Sequence, residues 1–169
     1  MGAEDHRRKA PKKFKFGVIT VSDTASRGEK EDASGKFIIE ALGGNELVHY
    51  SVVPDEKLAI VGALVEAFEK GADVVVTTGG TGITSRDVTI ESLSPLFDKE
   101  IPGFGELFRS RSFEEVGSAA VITRATAGVI RSGERALVVF CLPGSLNAVK
   151  TAVPIIKREA YHLLKHARE

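Results

Sequence analysis

The stretch FGVITVS, residues 16–22, indicates the class of fold. Apolar residues occupy both alternating faces of this run, which is typical of a parallel strand that helices cover on each side. A helical pattern follows at residues 32–42, with four apolar residues on one face and a Gly-Gly pair after it. The chain therefore begins as an α/β sheet.

The same alternation of β-branched runs and amphipathic stretches continues along the sequence. It predicts further strands at residues 47–53, 73–78 and 136–142, and helices after Asp55, near residues 88–97, after Ile101-Pro102 and from Ser145 onward. Residues 119–124 and 127–130 are expected to flank a tight connection, and residues 131–134 a turn. Pro154 is expected to bend or break the last helix, because it removes a backbone donor.

Length and composition indicate one α/β domain with its own core. The chain has 169 residues, of which 43% are apolar and 27% charged. Its single cysteine, Cys141, excludes an internal disulfide and a Cys-based zinc site, and its position in an apolar run favours a buried thiol over a nucleophile. The total charge is balanced, 23 basic against 23 acidic residues, which argues against a dedicated nucleic-acid binder.

The N-terminus differs in composition from the rest. The first 15 residues carry six basic and two acidic side chains, and we expect residues 1–14 to form a flexible basic tail ahead of a domain at 15–169. A solvated tail is favoured over one that touches RNA, acidic lipid or a partner. No apolar run is long enough to span a membrane and no signal-peptide pattern is present, so the expected location is the cytoplasm.

Three predicted strands run directly into small, polar or glycine-rich turns. These turns are Ser22-Asp23, the segment from Thr77 to Gly82 (TTGGTG), and Pro143-Gly144-Ser145. In a parallel sheet they share one edge, and open α/β sheets bind ligands in the crevice beyond that edge. Helix N-termini converge there, so an anionic ligand is favoured.

The glycine segment is ambiguous when taken alone. Residues without a Cβ let backbone amides close on a phosphate, but a tight strand-to-helix turn explains the glycines equally well. The segment lacks the Lys-Ser/Thr ending of a P-loop and the spacing of a dinucleotide-binding fingerprint.

Two carboxylates, Asp55 and Asp87, precede predicted helices. For an isolated aspartate in this position a helix N-cap is the commoner role, whereas the functional reading is a pair that holds Mg²⁺ against phosphate oxygens. Asp23 is a third candidate at a strand end. Glu106 could accept from a ligand N–H, although a solvated first-turn glutamate is more common.

The remaining reactive side chains give no clear site. His162 and His166 are expected on the surface of the last helix, and His49 alternates with apolar neighbours in a strand without an evident partner. No Ser-His-Asp or G-x-S-x-G arrangement is found, so hydrolysis by a nucleophilic side chain is disfavoured.

Taken together in order and spacing, the motifs at residues 19–23, 53–56, 77–82, 86–89 and 142–145 resemble the MoaB/MogA family of molybdenum-cofactor biosynthesis proteins. The resemblance covers about residues 15–165. It implies a three-layer αβα sandwich with a mostly parallel sheet and a short antiparallel edge hairpin. It also implies a homotrimer or a hexamer built from trimers, and a possible partner protein for molybdenum insertion.

In its catalytic members, the resemblance implies adenylylation of molybdopterin by Mg-ATP, with release of pyrophosphate. Asp55 and Asp87 match the family's essential acids, which would hold Mg²⁺. The implied binding residues for molybdopterin and ATP are Ser22, Asp23, Thr78, Gly79, Gly80, Thr81, Gly82, Arg86, Glu106, Pro143, Gly144, Ser145 and Asn147.

Leu146 departs from the family pattern, because many members carry a second proline there. The leading alternative is a molybdopterin carrier without catalytic activity. A related-fold nucleotide hydrolase or amidase and a tail-driven nucleic-acid protein rank lower.

Overall fold

Six strands form one sheet in the computed structural model, which describes residues 13–169. The strands are β1 (Lys15–Val21), β2 (Glu46–Val53), β3 (Val74–Thr78), β4 (Lys99–Glu100), β5 (Thr126–Ser132) and β6 (Arg135–Leu142). Their order is β2-β1-β3-β6-β5-β4. The first four in this order are parallel to one another, whereas β5 pairs antiparallel with both β6 and β4, so the predicted mixed sheet is confirmed.

Helices connect these strands and cover the sheet. They are α1 (Asp23–Ser26), α2 (Ala33–Ala41), α3 (Lys57–Glu69), α4 (Thr89–Leu93), α5 (Pro102–Val116) and α6 (Leu146–Arg168), with 3₁₀ turns at Ser94–Leu96 and Gly117–Ile122. Within the described residues no helix combines the length and apolar character that crossing a membrane requires.

Two apolar clusters, one on each face of the sheet, make up the core. Alternate residues of β3 divide between them: Val74 and Val76 face the cluster that includes α2, α5 and α6, whereas Val75 faces the cluster that includes α3 and α4. All five residues of β3 are buried. The apolar character of both faces, seen first in the sequence of β1, therefore reflects burial between two helical layers.

Several local expectations needed correction. Residues 119–122 lie in a 3₁₀ helix, and among the residues expected to flank the tight connection only 127–130 are strand. The helix predicted near residues 88–97 is five residues long and continues as a 3₁₀ turn at Pro95, which lacks the N–H that a longer α-helix requires.

Pro154 does not break the last helix. Helix α6 runs without interruption for 23 residues around it. Pro154 lies on the exposed side of α6, with buried Val153 and Ile155 on either side. Water can therefore solvate the backbone carbonyl that loses its helical partner.

The packed structure includes the end of the predicted tail. Phe14 is buried, its ring lies 4.9 Å from that of Tyr161, and its N–H donates to the side chain of Asn45. Residues 1–12 of the predicted tail lie outside the described residues.

We predict that Phe140→Ala lowers the free energy of unfolding by about 3–5 kcal/mol, because it leaves a cavity in the centre of the sheet. Phe140 is fully buried, and its ring lies 5.0 Å from that of Phe104. Denaturant unfolding would measure the change. Leu58→Ala, at an exposed position of α3, is the control and should change stability by less than about 0.5 kcal/mol. Equal losses for the two variants would contradict this account of the core.

Candidate functional site

A cavity of about 790 Å³ lies at the carboxyl ends of the parallel strands. From β1 the chain crosses to β2 on one side, and β3 then pairs with the other side of β1. The crevice between β1 and β3 is thus the topological switch point, where open α/β sheets bind ligands. The N-termini of α2 and α6 reach the same cavity through Ser34 and Ser145, so both helix dipoles favour negative charge there.

The glycine loop, residues 79–82, forms one wall of this cavity. Gly79 and Gly80 adopt φ angles of 100° and 66°, in the left-handed region that side chains disfavour. A Cβ at Gly79 would collide with the carbonyl oxygen of Val21, and one at Gly80 would collide with the hydroxyl of Thr89. Both glycines are therefore required by backbone conformation and by the close approach of β1 and α4.

Protein donors bind all four carbonyl groups of the glycine loop. The side chain and the backbone N–H of Thr89 donate to the carbonyls of Gly79 and Gly80, each at 2.9 Å. Arg124 donates to the carbonyls of Thr81 and Gly82, each at 2.8 Å. Because C=O and N–H point in opposite directions across a trans peptide, these bonds turn the following N–H groups away from Thr89 and Arg124.

A reciprocal pair of hydrogen bonds with Asp23 holds Asp55 beside the glycine loop. The N–H of Asp23 donates to Asp55 Oδ2 and the N–H of Asp55 donates to Asp23 Oδ1, both at 2.9 Å. This arrangement joins the turn after β1 to the turn after β2. Asp55 Oδ1 then lies 3.1 Å from the position that a Cβ of Gly80 would occupy.

Asp87 stands at the other end of the glycine loop. Its Oδ2 accepts from the N–H of Thr84 at 2.9 Å and from the Thr84 hydroxyl at 2.6 Å, and it lies 2.6 Å from the position of a Cβ on Gly82. The helix-cap reading is wrong for both acids. Neither α3 nor α4 has a side-chain cap, because Asp55 and Asp87 instead accept from Asp23 and Thr84.

The two acids differ in their electrostatic state. Burial raises the pKa of the Asp55 carboxyl, and repulsion from Asp23 and Asp87 adds to this effect. Burial acts in the same direction on Asp87, but hydrogen bonds from Thr84 and from the Gly82 backbone outweigh it and lower the pKa of Asp87. Relative to an ordinary aspartate, the ionised carboxylate is thus stabilised at Asp87 and destabilised at Asp55.

The structure brings most of the predicted site residues to this cavity. Those that line it are Ser22, Asp55, Thr78, Gly79, Gly80, Thr81, Gly82, Asp87, Pro143, Gly144 and Ser145. The Thr78 hydroxyl donates to the carbonyl of Pro143 at 2.9 Å, which ties the end of β3 to the turn after β6. Leu146, where the family pattern has proline, also lines the cavity and begins α6.

Four predicted residues lie outside the lining. The Arg86 guanidinium forms a two-pronged ion pair with the Asp23 carboxylate, 2.8 Å at its shortest, so these two side chains neutralise each other. Glu106 is exposed on α5. Asn147 is exposed in the first turn of α6, and its carbonyl accepts from Thr151.

Four charged residues of the lining were not predicted from the sequence: the cations Lys30 and Arg124 and the acids Glu31 and Asp32. Arg124 comes from the segment between a 3₁₀ helix and β5, and Lys30 from the loop before α2. Asp32 caps α2 by accepting from Gly35, and it also accepts from the hydroxyls of Thr20 and Tyr50. No local motif marks Arg124, whereas the helix predicted over residues 32–42 places Asp32 at the start of α2.

His49 and Cys141 are structural. His49 is buried, and its two ring nitrogens lie 3.0 Å from the Ser51 hydroxyl and 3.2 Å from the Lys70 ammonium, so the expectation that it has no partner was wrong. Cys141 is buried as predicted, and burial raises the pKa of its thiol to about 12. A thiol in this state is a poor nucleophile.

We predict that Asp55→Asn raises the free energy of unfolding at pH 7. The raised pKa means that the folded protein binds a proton at Asp55 more tightly than the unfolded chain does, so the ionised carboxylate destabilises the fold at neutral pH. Asparagine removes the charge and keeps an oxygen that can accept from Asp23.

Urea unfolding of both proteins between pH 7 and acidic pH tests this prediction. The advantage of the variant should shrink as the pH falls through the raised pKa and vanish below the ordinary value of 3.8, where Asp55 is protonated in both states. A variant that is less stable than the parent at pH 7 would show that the charge stabilises the fold.

Comparison with known proteins agrees with this geometry. The molybdopterin adenylyltransferase of Pyrococcus furiosus is 64% identical over the full length of both chains. The probable molybdopterin adenylyltransferase of Methanocaldococcus jannaschii is 41% identical, covering 94% of this chain and 96% of the relative. The crystal structure of the tungsten cofactor synthesizing protein MoaB from Pyrococcus furiosus matches with a TM-score of 0.92 and 65% identity, covering 95% of this chain and all of that one.

The model of one protein family matches residues 17–162, which include most of β1, most of α6 and every element between them. That family is described as the probable molybdopterin binding domain. The strand order, the cavity at the switch point and the glycine loop all fall within the matched residues. The chain therefore belongs to the molybdopterin-binding family that contains MoaB and MogA.

Proposed function

We propose that this protein is a molybdopterin adenylyltransferase, which transfers AMP from Mg-ATP to molybdopterin and releases pyrophosphate. The observation that carries the proposal is the placement of Asp55 and Asp87 at the two ends of one glycine loop, inside one cavity. A loop that presents backbone amides suits phosphate groups. Two carboxylates beside a phosphate site repel the phosphates unless a cation lies between them, and phosphoryl-transfer enzymes use Mg²⁺ for this purpose.

The charges of the cavity support a metal-bound nucleotide. Its charged lining consists of four acids and two bases: Glu31, Asp32, Asp55 and Asp87 against Lys30 and Arg124. This excess of negative charge makes the cavity bind metal-free ATP more weakly than ATP that carries a cation. Magnesium fits, because it is commonly held by one or two carboxylates together with substrate phosphates.

No group of three or more His, Cys, Asp or Glu side chains within residues 13–169 is arranged to hold a metal by itself. Asp55 and Asp87 would therefore hold Mg²⁺ jointly with the phosphates of ATP. When bound, the ion would neutralise charge on the reacting phosphates.

The reaction itself asks little of a general base. A phosphate oxygen of molybdopterin is already ionised at pH 7 and attacks the α-phosphorus of ATP, while the bond from that phosphorus to the β-bridging oxygen breaks and pyrophosphate leaves. The residues of this chain contribute position and charge: the amides of the glycine loop after Gly79 would face the phosphates, and the N-termini of α2 and α6 would add partial positive charge. Pro143, Gly144 and Ser145 line the cavity beside Gly79.

A molybdopterin carrier without catalytic activity is the alternative, and it is not favoured. A carrier needs the cavity but has no use for two acids beside a phosphate site. The names of the 64% and 41% identical relatives also agree with the adenylyltransferase reading.

The assembly state belongs to the same proposal. A homotrimer or a hexamer is supported by exposed apolar side chains at the end of α5 and in the following 3₁₀ helix, namely Phe113, Val116, Val121 and Ile122. A cytoplasmic location and a separate partner for metal insertion stay predictions.

We predict that Asp87→Ala lowers turnover by a factor on the order of 100–1,000 while molybdopterin binding changes little, because the lost carboxylate acts on the reacting phosphates. Release of pyrophosphate from ATP, Mg²⁺ and molybdopterin measures turnover. Glu114→Gln, at an exposed position of α5, is the control and should retain parental turnover. A parental enzyme that binds molybdopterin but releases no pyrophosphate would establish the carrier, and full activity of Asp87→Ala would refute the role of Asp87.

We predict that the double variant Phe113→Glu/Val121→Glu lowers the molar mass in solution from three or six copies toward the monomer of 18.1 kDa, since charge replaces apolar contact. Light scattering during size-exclusion chromatography measures the mass. Val65→Glu, a partly exposed site on α3, is the control. A parental monomer would remove the trimer and hexamer from the proposal.

A further inference from the structure

Arg124 has a set of contacts that the function proposed above does not use. Its Nε donates to the carbonyl of Thr81 and its Nη2 to that of Gly82, both at 2.8 Å. On its other side, Nη1 forms a short ion pair with Glu91, which Nη2 also contacts at 3.3 Å. One guanidinium thus spans the glycine loop and the first turn of α4.

The planar shape of arginine is essential to this arrangement. A guanidinium has five N–H donors in a rigid fork, and here it meets two consecutive carbonyls and a carboxylate at once. Lysine keeps the positive charge but concentrates it at one nitrogen. It cannot bridge the same four acceptor atoms in one plane.

The hydrogen bonds from Arg124 to the two carbonyls also affect the surroundings of Asp87. The carbonyl of Thr81 and the N–H of Gly82 belong to one peptide group and point in opposite directions. Arg124 holds the carbonyls of Thr81 and Gly82, and Asp87 Oδ2 lies beside Gly82, 2.6 Å from the position that a Cβ would occupy. Turning that peptide would displace the backbone that packs against the Asp87 carboxylate.

Arg124 lines the cavity, yet its donors are directed at protein groups. An arginine that binds the substrate's phosphates directly would instead present its fork to the cavity. The ion pair with Glu91 favours the positioning role, because the Glu91 carboxylate neutralises the guanidinium and fixes its orientation toward protein groups.

We propose that Arg124, locked by Glu91, is a positioning residue that holds the Thr81–Gly82 peptide in the orientation that supports Asp87 and the phosphate-facing amides. The kinetic part of this inference rests on the proposed adenylyltransferase activity. Its structural part, the fixing of the glycine loop, holds in the absence of any substrate.

Hydrogen–deuterium exchange of the full-length protein tests the structural part. In Arg124→Lys, we expect amides of residues 80–88 to exchange at least about 10-fold faster, because the loop opens locally once the fork is lost. Arg109→Lys is the matched control: Arg109 donates to Ala125, the residue next to Arg124, at 3.3 Å, and its removal should leave exchange in the loop unchanged. Unchanged exchange in Arg124→Lys overturns the proposal.

Kinetics and binding test the catalytic part. We expect Arg124→Lys to lower kcat about 10–100-fold, because losing a residue that orients a substrate-contacting side chain commonly lowers activity by this factor. The Kd for ATP in EDTA should change less than about 3-fold. If metal-free ATP binding weakens as much as kcat/KM falls, Arg124 is a direct phosphate ligand and the proposal is wrong.

Glu91→Gln is a second variant that leaves Arg124 in place and removes its counter-charge. The proposal expects a smaller fall in kcat with faster exchange in the loop. Tighter binding of ATP in EDTA would mean that Glu91 restrains a ligand-binding arginine, which overturns the proposal. If the parental protein releases no pyrophosphate but Arg124→Lys still loosens the loop, the proposed function fails and the positioning role of Arg124 stands.

Discussion

The burial of β3 between two helical layers is the constraint on which the site depends. Since β1 and β6 flank β3 on either side, the chain that leaves Thr78 has very little space in which to turn. The carbonyl oxygen of Val21 and the hydroxyl of Thr89 occupy the places where side chains would stand on Gly79 and Gly80. The same crowding that excludes a Cβ brings backbone amides, rather than side chains, to the wall of the cavity.

Features that depend on neighbouring residues could be predicted from the sequence. The strand at residues 16–22, the glycine loop and the helix at residues 32–42 each carry their signal within a few positions, and the spacing of several such motifs sufficed to recognise the family. Features that depend on tertiary contacts could not. Arg124 contacts the glycine loop from a position more than 40 residues later in the sequence, and Asp23 and Asp55 are 32 residues apart. Nothing in the local sequence of these residues indicates either contact.

The same distinction explains the errors. Asp55 and Asp87 precede helices as N-caps do, but neither caps the helix that follows it. Asp55 accepts from the N–H of Asp23, which is distant in sequence, and Asp87 accepts from the N–H of Thr84, three residues before it in a turn. Pro154 has the local signature of a helix break, yet its exposed position lets the helix continue. Local propensity was overruled where tertiary packing or solvent satisfied the backbone differently.

The four bonded carbonyls of the glycine loop also bear on the thermodynamics of recognition. A loop that is free in solution must lose conformational entropy each time a ligand orders it, and this loss subtracts from affinity. Here the ordering has already taken place when the chain folds, through Thr89 and Arg124. Ordering this loop therefore subtracts little from the favourable energy of amide contacts with an anion, although three of the four residues at 79–82 are glycine.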